Sequence, residues 1–334
     1  MTATPSPYPQ TRYPYIVATS ATTDAVLAPA KSHSLLSDYA TLFKLRVSTM
    51  VIITAGAGFY LGSLRSGISP FHAGLLQALA GIAVVTCGSS ALNQALERRT
   101  DALMHRTADR PMAAGRISLT HGLILGFAAI FLGSLYLAYT TNLLTGTLTL
   151  LTAIGYVAIY TPLKRVTTIN TFIGAFPGAL PPLIGWTAAR GVIEWPGVAL
   201  FAILFVWQFP HFMAIGWMYR EEYARAGIRL TPNLPNAQYA ALSTVVQALF
   251  YAAIMIPVSL WPATLHTTGH AYAIVAIILG LIYLWYTIRF ARIVNHPDLG
   301  ISNRVARDLL RVSVIYLPLL LAAMMLDAKG RLFF

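Results

Sequence analysis

Three oxygen-bearing side chains recur at intervals of four residues between two long apolar runs. They are Asn93, Glu97 and Asp101. Residues four apart on an α-helix lie about 40° from one another around the axis, so all three share one face. Carboxylate and amide oxygens suit hard cations, and Mg²⁺ typically joins one or two carboxylates to substrate phosphates. The spacing therefore predicts a helix face that binds a metal ion.

Basic residues surround this face, and a second acidic pair follows far downstream. Arg and Lys neutralise phosphate charge, Arg in bidentate fashion. A diphosphate held by such residues and Mg²⁺ becomes a good leaving group, because the charge developing on it is stabilised where it forms. A single charged turn is usually only a solvated helix end, but the joint pattern favours ionisation of an allylic diphosphate. The residues concerned are Arg98, Arg106 and Arg110 near the first cluster, and Arg220, Glu221 and Glu222 at the second.

The elements that must position these residues are membrane-spanning helices. Hydrophobic residues make up 57% of the 334-residue chain, above the roughly 45–50% of a soluble domain, and they form runs of about 17–22 residues. We therefore predict an all-α polytopic membrane protein with nine transmembrane helices. The predicted spans lie near residues 47–63, 72–92, 117–138, 143–160, 169–187, 196–217, 240–261, 271–288 and 311–326.

The distribution of Lys and Arg predicts the orientation in the membrane. Positive residues near span ends are retained on the cytoplasmic side, and most of them lie in the N-terminal flank and in the loops after even-numbered spans. We therefore place the N-terminus in the cytoplasm and the C-terminus outside. The net charge of +12 follows mostly from this asymmetry, so no nucleic-acid partner is expected.

The N-terminal stretch differs in composition from the rest of the chain. Residues 1–35 are rich in Ser, Thr, Ala and Pro and are predicted to be a disordered tail, followed by a single transmembrane domain over residues 36–334. A mitochondrial presequence is Arg-rich, but only Arg12 precedes Lys31, so we predict a bacterial inner membrane location. Cys87 is the single cysteine, which excludes an internal disulfide and a Cys-rich metal site.

Two later spans contain residues that predict a cavity. The fifth holds Pro177, Pro181 and Pro182, so its helix should be kinked or broken, which a bilayer tolerates only against other protein or a cavity. The sixth carries His211, an intramembrane ionisable residue and hence a functional candidate, although an isolated His is more often a satisfied interior side chain. A transporter would share both features but should place its ionisable groups near the bilayer midplane. An assembly factor without chemistry would not explain two acidic clusters at one membrane face.

Six short strings occur along about residues 36–326. They are Asn93-x-x-x-Glu97-Arg98-x-x-Asp101, Met104-x-Arg106-Thr107-x-x-Arg110-Pro111, Tyr160-Thr-Pro-Leu-Lys164-Arg165 with Asn170, Pro181-Pro182-x-x-Gly185-Trp186, Trp207-Gln-x-Pro210-His211-Phe212, and Arg220-Glu221-x-Tyr223-x-Arg225-x-Gly227. Together they resemble the membrane-bound UbiA-type prenyltransferases, and the Glu-Arg version of the first string is similar to the haem O synthase (protohaem IX farnesyltransferase) branch of that family.

The resemblance implies nine transmembrane helices in a UbiA-type bundle around a central cavity open to the cytoplasmic face. It implies transfer of farnesyl from farnesyl diphosphate to a vinyl group of haem B, with water addition, giving haem O for terminal oxidases. Mg²⁺ is the implied cofactor. The implied partners are the lipid bilayer, farnesyl diphosphate, haem B, and haem A synthase or terminal oxidase assembly proteins. An aromatic quinone precursor stays open as the acceptor, because the acidic motif does not exclude it.

Pattern and resemblance together assign roles to individual residues. Two departures from the family pattern matter: Lys44-Leu45-Arg46 stands where many bacterial members have Lys-Pro-Arg, and Glu221-Glu222 where many have an Asp pair. The first is expected to be conformational only, and the second leaves open which carboxylate faces the metal. The expected metal ligands are Asn93, Glu97, Asp101 and Glu221, with Glu222 as the alternative. Tyr160 is expected to face the carbocation. The expected substrate contacts are Arg98, Arg106, Arg110, Lys164, Arg165, Asn170, His211 and Arg220.

Overall fold

Long apolar helices make up the bundle in the computed structural model, which describes residues 33–296 and 299–328. Within those ranges nine helical segments are long and apolar enough to cross a membrane. Each overlaps one predicted span, so the predicted fold class is confirmed. Most of the predicted tail, residues 1–32, lies outside the described residues, and the division into tail and single domain stays a prediction.

Several helices are longer than the spans predicted from the sequence. The second continues well past residue 92 to Asp101, and the ninth begins before residue 311. The helices are α1 (Leu35–Leu42), α2 (Leu45–Arg65), α3 (Ala73–Asp101), α4 (Leu119–Thr140), α5 (Leu143–Ile154), α6 (Thr161–Leu163), α7 (Asn170–Ala179), α8 (Pro181–Arg190), α9 (Trp195–Met218), α10 (Arg220–Arg225), α11 (Ala237–Thr264), α12 (His270–Phe290) and α13 (Leu299–Leu326). A π-helical segment, Gly155–Tyr160, joins α5 to α6, and 3₁₀ turns cover Thr231–Asn233 and Ala291–Val294.

Glycines allow the first and fifth spans to pack backbone against backbone. A Cβ atom added at Gly58 of α2 would lie 1.9 Å from the carbonyl oxygen of Pro182, and one added at Gly185 of α8 would lie 1.8 Å from that of Ala55. Any side chain at either position would separate the helices. Small residues commonly permit such close approach between transmembrane helices.

The hydrogen-bond ladder of the fifth span is interrupted, as its prolines predict, although Leu180 between the two helices keeps α-helical dihedrals. Helix α7 ends at Ala179 and α8 begins at Pro181. Proline has no backbone N–H, so it cannot continue the hydrogen-bond ladder. Next to the break, the Gln208 side chain of α9 donates to the Ala175 carbonyl over 3.1 Å, which supplies a protein partner for polar backbone inside the bundle.

Asp327, which follows α13, links that helix to the start of α12. Its Oδ2 accepts a hydrogen bond from the Tyr272 backbone N–H over 2.7 Å, so the end of α13 caps the first turn of α12, where N–H groups have no helical partner. Thr268 and Ala328 form an isolated β-bridge beside it. The C-terminal helix is thereby fixed to its neighbour.

Candidate active site

The three regularly spaced oxygen-bearing residues lie on the last turns of α3. Because α3 runs without interruption to Asp101, Asn93, Glu97 and Asp101 share one helix face, as predicted. Asn93 and Asp101 are 0% and 1% exposed, and the Glu97 side chain is 13% exposed. Buried charges require partners, so this face must be neutralised from within the protein.

Each of the three residues has a cationic partner from another part of the chain. Lys164 Nζ lies 2.7 Å from Glu97 Oε1. A single Arg110 nitrogen donates to both Asp101 oxygens, over 2.8 and 2.9 Å. The Lys44 ammonium donates to Asn93 Oδ1. The carboxylates and the basic residues predicted from the sequence are therefore brought together at one end of the bundle.

The π-helical segment sets the orientation of the Asn93 amide. Thr161 Oγ1 donates its proton to the Tyr156 carbonyl over 2.9 Å, so the same oxygen accepts from Asn93 Nδ2, 3.0 Å away. The Asn93 carbonyl oxygen then faces Lys44. π-helical segments are frequent at functional sites. This one orients the Asn93 Oδ1 atom toward the charged groups.

The Glu97 and Asp101 carboxylates and the three cations border a cavity of about 120 Å³, whereas Asn93 lies beside it and does not line it. At roughly 30 Å³ for each water in the liquid, this equals the volume of about four water molecules, so it suits a small polar group. It is lined by Lys44, Glu97, Asp101, Met104, Arg106, Arg110, Tyr160, Lys164, Asn170, Tyr223, Ile228 and Leu230. Seven of the twelve were assigned to the site from sequence: Glu97, Asp101, Arg106, Arg110, Tyr160, Lys164 and Asn170.

Lys44 is the charged cavity residue whose role the sequence analysis missed, because it was counted as a topology signal. It joins α1 to α2 with φ 48° and ψ 49°, a left-handed conformation that is uncommon outside glycine. The Gln94 amide donates to the Thr41 and Leu42 carbonyls over 2.7 and 3.1 Å, which fixes this turn against α3. Burial, reinforced by the nearby Arg110 guanidinium, lowers the pKa of Lys44 to about 7.

Lys164 has the opposite electrostatic environment. Its Nζ lies 4.5 Å from the centroid of the Tyr160 ring, in a cation–π contact. Burial acts to lower the pKa of Lys164, but the Tyr160 and Glu97 oxygens outweigh it, and the pKa lies above its ordinary value. Lys164 is therefore a permanent cation, whereas Lys44 can lose its proton near neutral pH.

The loop after α3 contacts the segment after α9. Arg106 donates from its backbone N–H to Glu222 Oε2 over 3.3 Å and from its guanidinium to the Tyr223 hydroxyl over 3.4 Å. The two acidic clusters thus lie at the same end of the bundle. Glu221 is exposed, however, and neither Glu221 nor Glu222 lines the cavity.

Several predicted site residues lie outside this cavity. Arg98 donates to the Ala95 carbonyl of its own helix, Arg165 is exposed, and Arg220 packs over the Trp217 ring. His211 contacts α13. Across the described ranges, no group of three His, Cys, Asp or Glu side chains is close enough to hold a metal ion, so the five-residue metal set stays a prediction.

Comparison with known proteins agrees with this geometry. The profile of the UbiA prenyltransferase family matches residues 50–300. The chain is 46% identical to a protoheme IX farnesyltransferase from Koribacter versatilis, over 88% of this chain and 94% of that one. It is 40% identical to a protoheme IX farnesyltransferase from Salinibacter ruber, over 88% and 99%.

Solved structures show the same fold at low sequence identity. Digeranylgeranylglyceryl phosphate synthase superposes with a TM-score of 0.69 at 17% identity, over 87% of this chain and 98% of that one. A UbiA homologue from Archaeoglobus fulgidus bound to GPP and Mg²⁺ gives a TM-score of 0.55 at 17% identity, over 86% and 99%. The profile match covers most of the chain, and the relatives are similar over nearly their whole length. This protein belongs to the UbiA prenyltransferase family.

Proposed function

We propose that this protein transfers the farnesyl group of farnesyl diphosphate to a vinyl group of haem B, giving haem O. The observation that carries the proposal is the polar cavity at one end of a nine-span bundle, in which the Glu97 and Asp101 carboxylates lie among three basic side chains, Lys44, Arg110 and Lys164. The choice of acceptor rests on the similarity to protoheme IX farnesyltransferases at up to 46% identity.

The basic side chains bind and stabilise the leaving diphosphate. Lys164, Arg110 and Lys44 reach into the cavity from three different parts of the chain, and Arg106 lies at its wall. The contacts of these cations with diphosphate are charge-assisted and strengthen as the allylic C–O bond breaks. Asn170 has a different role, because its Nδ2 already donates to the Arg229 carbonyl over 2.6 Å; its buried Oδ1, which has no hydrogen-bond partner among the described residues, can accept from water or bind a metal ion but not phosphate.

The donor set fits Mg²⁺. Asn93 Oδ1 and the carboxylates of Glu97 and Asp101 present oxygen atoms on one helix face, which is the chemistry that Mg²⁺ selects. Bound there, Mg²⁺ would neutralise charge on the diphosphate. From the second acidic pair we propose Glu222, in place of Glu221, as the metal ligand. Glu222 contacts the loop that carries Arg106, whereas Glu221 is exposed.

The farnesyl cation is expected to meet the face of Tyr160. The Lys164 ammonium lies over that ring in a cation–π contact, which supports this assignment. Met104, Ile228 and Leu230 supply apolar lining beside it. In the reaction the C–O bond to diphosphate breaks, a C–C bond forms to the vinyl carbon, and water adds to the resulting cation with loss of a proton.

We infer that the protein resides in a bacterial inner membrane with the cavity facing the cytoplasm. Basic residues concentrate at the cavity end of the spans, and positive residues are retained on that side. A water-soluble diphosphate can then enter from the cytoplasm while its lipid tail stays in the bilayer. Haem A synthase or oxidase assembly proteins stay predicted partners.

The deciding experiment incubates purified protein with farnesyl diphosphate, Mg²⁺ and either haem B or 4-hydroxybenzoate. Farnesylated haem is expected with the first acceptor and no product with the second. Product from 4-hydroxybenzoate alone would assign the chain to quinone biosynthesis. Absence of any farnesyl transfer, with substrate flux across vesicles, would favour a transporter instead.

A further inference from the structure

Helix α1 is joined to the loop between α3 and α4 by a buried ion pair. Asp38 of α1 is 5% exposed, and Arg116 of the loop donates from Nε to both of its carboxylate oxygens, over 3.0 and 3.1 Å. A second guanidinium nitrogen lies 2.9 Å from Asp38 Oδ1, and the same guanidinium also bonds the side chain and carbonyl of Asp109. A planar guanidinium held on two sides fixes the direction of α1 as well as its position.

Apolar packing already holds α1 against the bundle without this ion pair. Leu42 is fully buried and packs with Ala91 and Ala95 of α3. Replacing a buried ion pair by apolar side chains of similar size is often neutral or stabilising, so stability alone does not account for the pair. What the pair adds to the packing is a single orientation of α1.

The residue that depends on this orientation is Lys44, which follows α1. Among the described non-glycine residues only Lys44 and His266 have positive φ, and such a conformation persists only where the surrounding structure fixes it. The Gln94 amide holds the carbonyls at the end of α1, and Ser48 Oγ donates to the Phe43 carbonyl over 2.7 Å. These contacts direct the Lys44 side chain into the cavity, provided that α1 stays in place.

We propose that the Asp38–Arg116 ion pair positions Lys44 for binding of the diphosphate. Neither Asp38 nor Arg116 lines the cavity, so both are positioning residues that act through α1. The same loop thereby places two cations, because Arg110 lines the cavity directly while Arg116 holds the helix that precedes Lys44. The inference rests on the proposed function, in which the bound anion is the diphosphate of the prenyl donor.

The test is a double-mutant cycle on the purified full-length protein in detergent. Binding of Mg²⁺-pyrophosphate is measured by isothermal titration calorimetry. Lys44→Met should weaken binding about tenfold, the value of one charge-assisted contact, and Asp38→Asn about fivefold, most of that value. In the Lys44→Met background Asp38→Asn should have no further effect, because two residues that act through one contact are not additive. A purely structural role of the pair would give losses that add.

Two further variants separate positioning from folding. Arg116→Lys keeps the charge but loses the planar geometry, so it should show the same loss that depends on Lys44 if Asp38→Asn fails to fold. Asp109→Asn is the matched control, because it removes the 62% exposed partner of the same guanidinium, and exposed pairs contribute little. Its affinity should equal that of the wild type. Acetylation of Lys44, followed by mass spectrometry, should be faster in Asp38→Asn than in the wild type.

Additive losses in the cycle would overturn the proposal, as would wild-type affinity in both Asp38→Asn and Arg116→Lys. Farnesyl transfer is measured in the same samples, and Asp38→Asn should raise KM for farnesyl diphosphate while kcat stays unchanged. A wild type that binds Mg²⁺-pyrophosphate through Lys44 and depends on Asp38, but transfers no farnesyl to haem B, would contradict the proposed function and leave the positioning intact.

Discussion

The ammonium group of Lys164 lies 2.7 Å from Oε1 of Glu97, between side chains that are 16% and 13% exposed. Arg110 and Asp101 form a second such pair in the same cavity. The basic residues expected to bind diphosphate and the carboxylates expected to bind metal thus neutralise each other. We infer that substrate binding exchanges these partners, with Lys164 and Arg110 moving to phosphate and the carboxylates to Mg²⁺.

Lys164 and Glu97 should consequently affect different kinetic parameters. Lys164→Met is expected to raise KM for farnesyl diphosphate at least about tenfold, the value of one lost charge-assisted hydrogen bond. Glu97→Gln should mainly raise the Mg²⁺ concentration needed for half-maximal activity. Both substrates are titrated in a farnesyl transfer assay, with Arg99→Met, an exposed position on the same helix, as the control. Equal shifts of both parameters in both variants would contradict the exchange.

Diphosphate binding should depend on pH through Lys44. Its pKa of about 7 in the free protein should rise when an anion binds beside it, so the protonated form is the one that binds. Affinity for Mg²⁺-pyrophosphate should then be highest below pH 7 and fall about fivefold between pH 7 and pH 8, as the protonated fraction drops. Isothermal titration calorimetry in two buffers of different ionisation enthalpy should detect proton uptake.

Lys44→Arg provides the control, because arginine stays charged throughout this range. The pH dependence that remains in Lys44→Arg belongs to the ligand itself. A wild type whose pH profile matches that of Lys44→Arg would show that Lys44 does not titrate on binding.

Gly174 should be required for the position of the Tyr160 ring. A Cβ atom at Gly174 would lie 2.4 Å from a Tyr160 ring carbon, whereas one at Gly155 would meet no atom within 4 Å. Gly174→Ala is therefore expected to displace the ring and lower kcat at least about tenfold, if Tyr160 stabilises the cation. Gly155→Ala should retain wild-type activity. A fully active Gly174→Ala protein would remove Tyr160 from the reaction.

Asp327 should contribute to stability without affecting catalysis. Asp327→Ala removes the cap on the Tyr272 N–H, which typically costs about 1 kcal/mol, so the unfolding temperature of a protein of this size should fall by about 1–2 °C. Asp308→Ala is the comparison, because its ion pairs with Arg289 and Arg311 are long, at 3.9 and 3.7 Å, and contribute little. Thermal unfolding in detergent measures both. An unchanged unfolding temperature in Asp327→Ala would mean that water replaces the cap.

Local sequence rules account for the helices and for much of the cavity. The four-residue spacing placed Asn93, Glu97 and Asp101 on one face, and the prolines predicted the break before Pro181, because both effects depend on neighbouring residues alone. Lys44 could not be found this way, since its approach to Asn93 depends on a left-handed turn and on packing between distant segments. The difference in exposure between Glu221 and Glu222 likewise depends on how a short helix docks.

The π-helical segment Gly155–Tyr160 amounts to one residue inserted into an α-helix. One residue corresponds to about 100° of rotation, so the insertion turns Lys164 relative to the lipid-facing side of α5. Deleting Ala158 would restore regular α-helical turns and carry Lys164 about 100° around the axis, away from Glu97. The insertion therefore separates the register of the residues that line the cavity from the register of the lipid-facing part of α5.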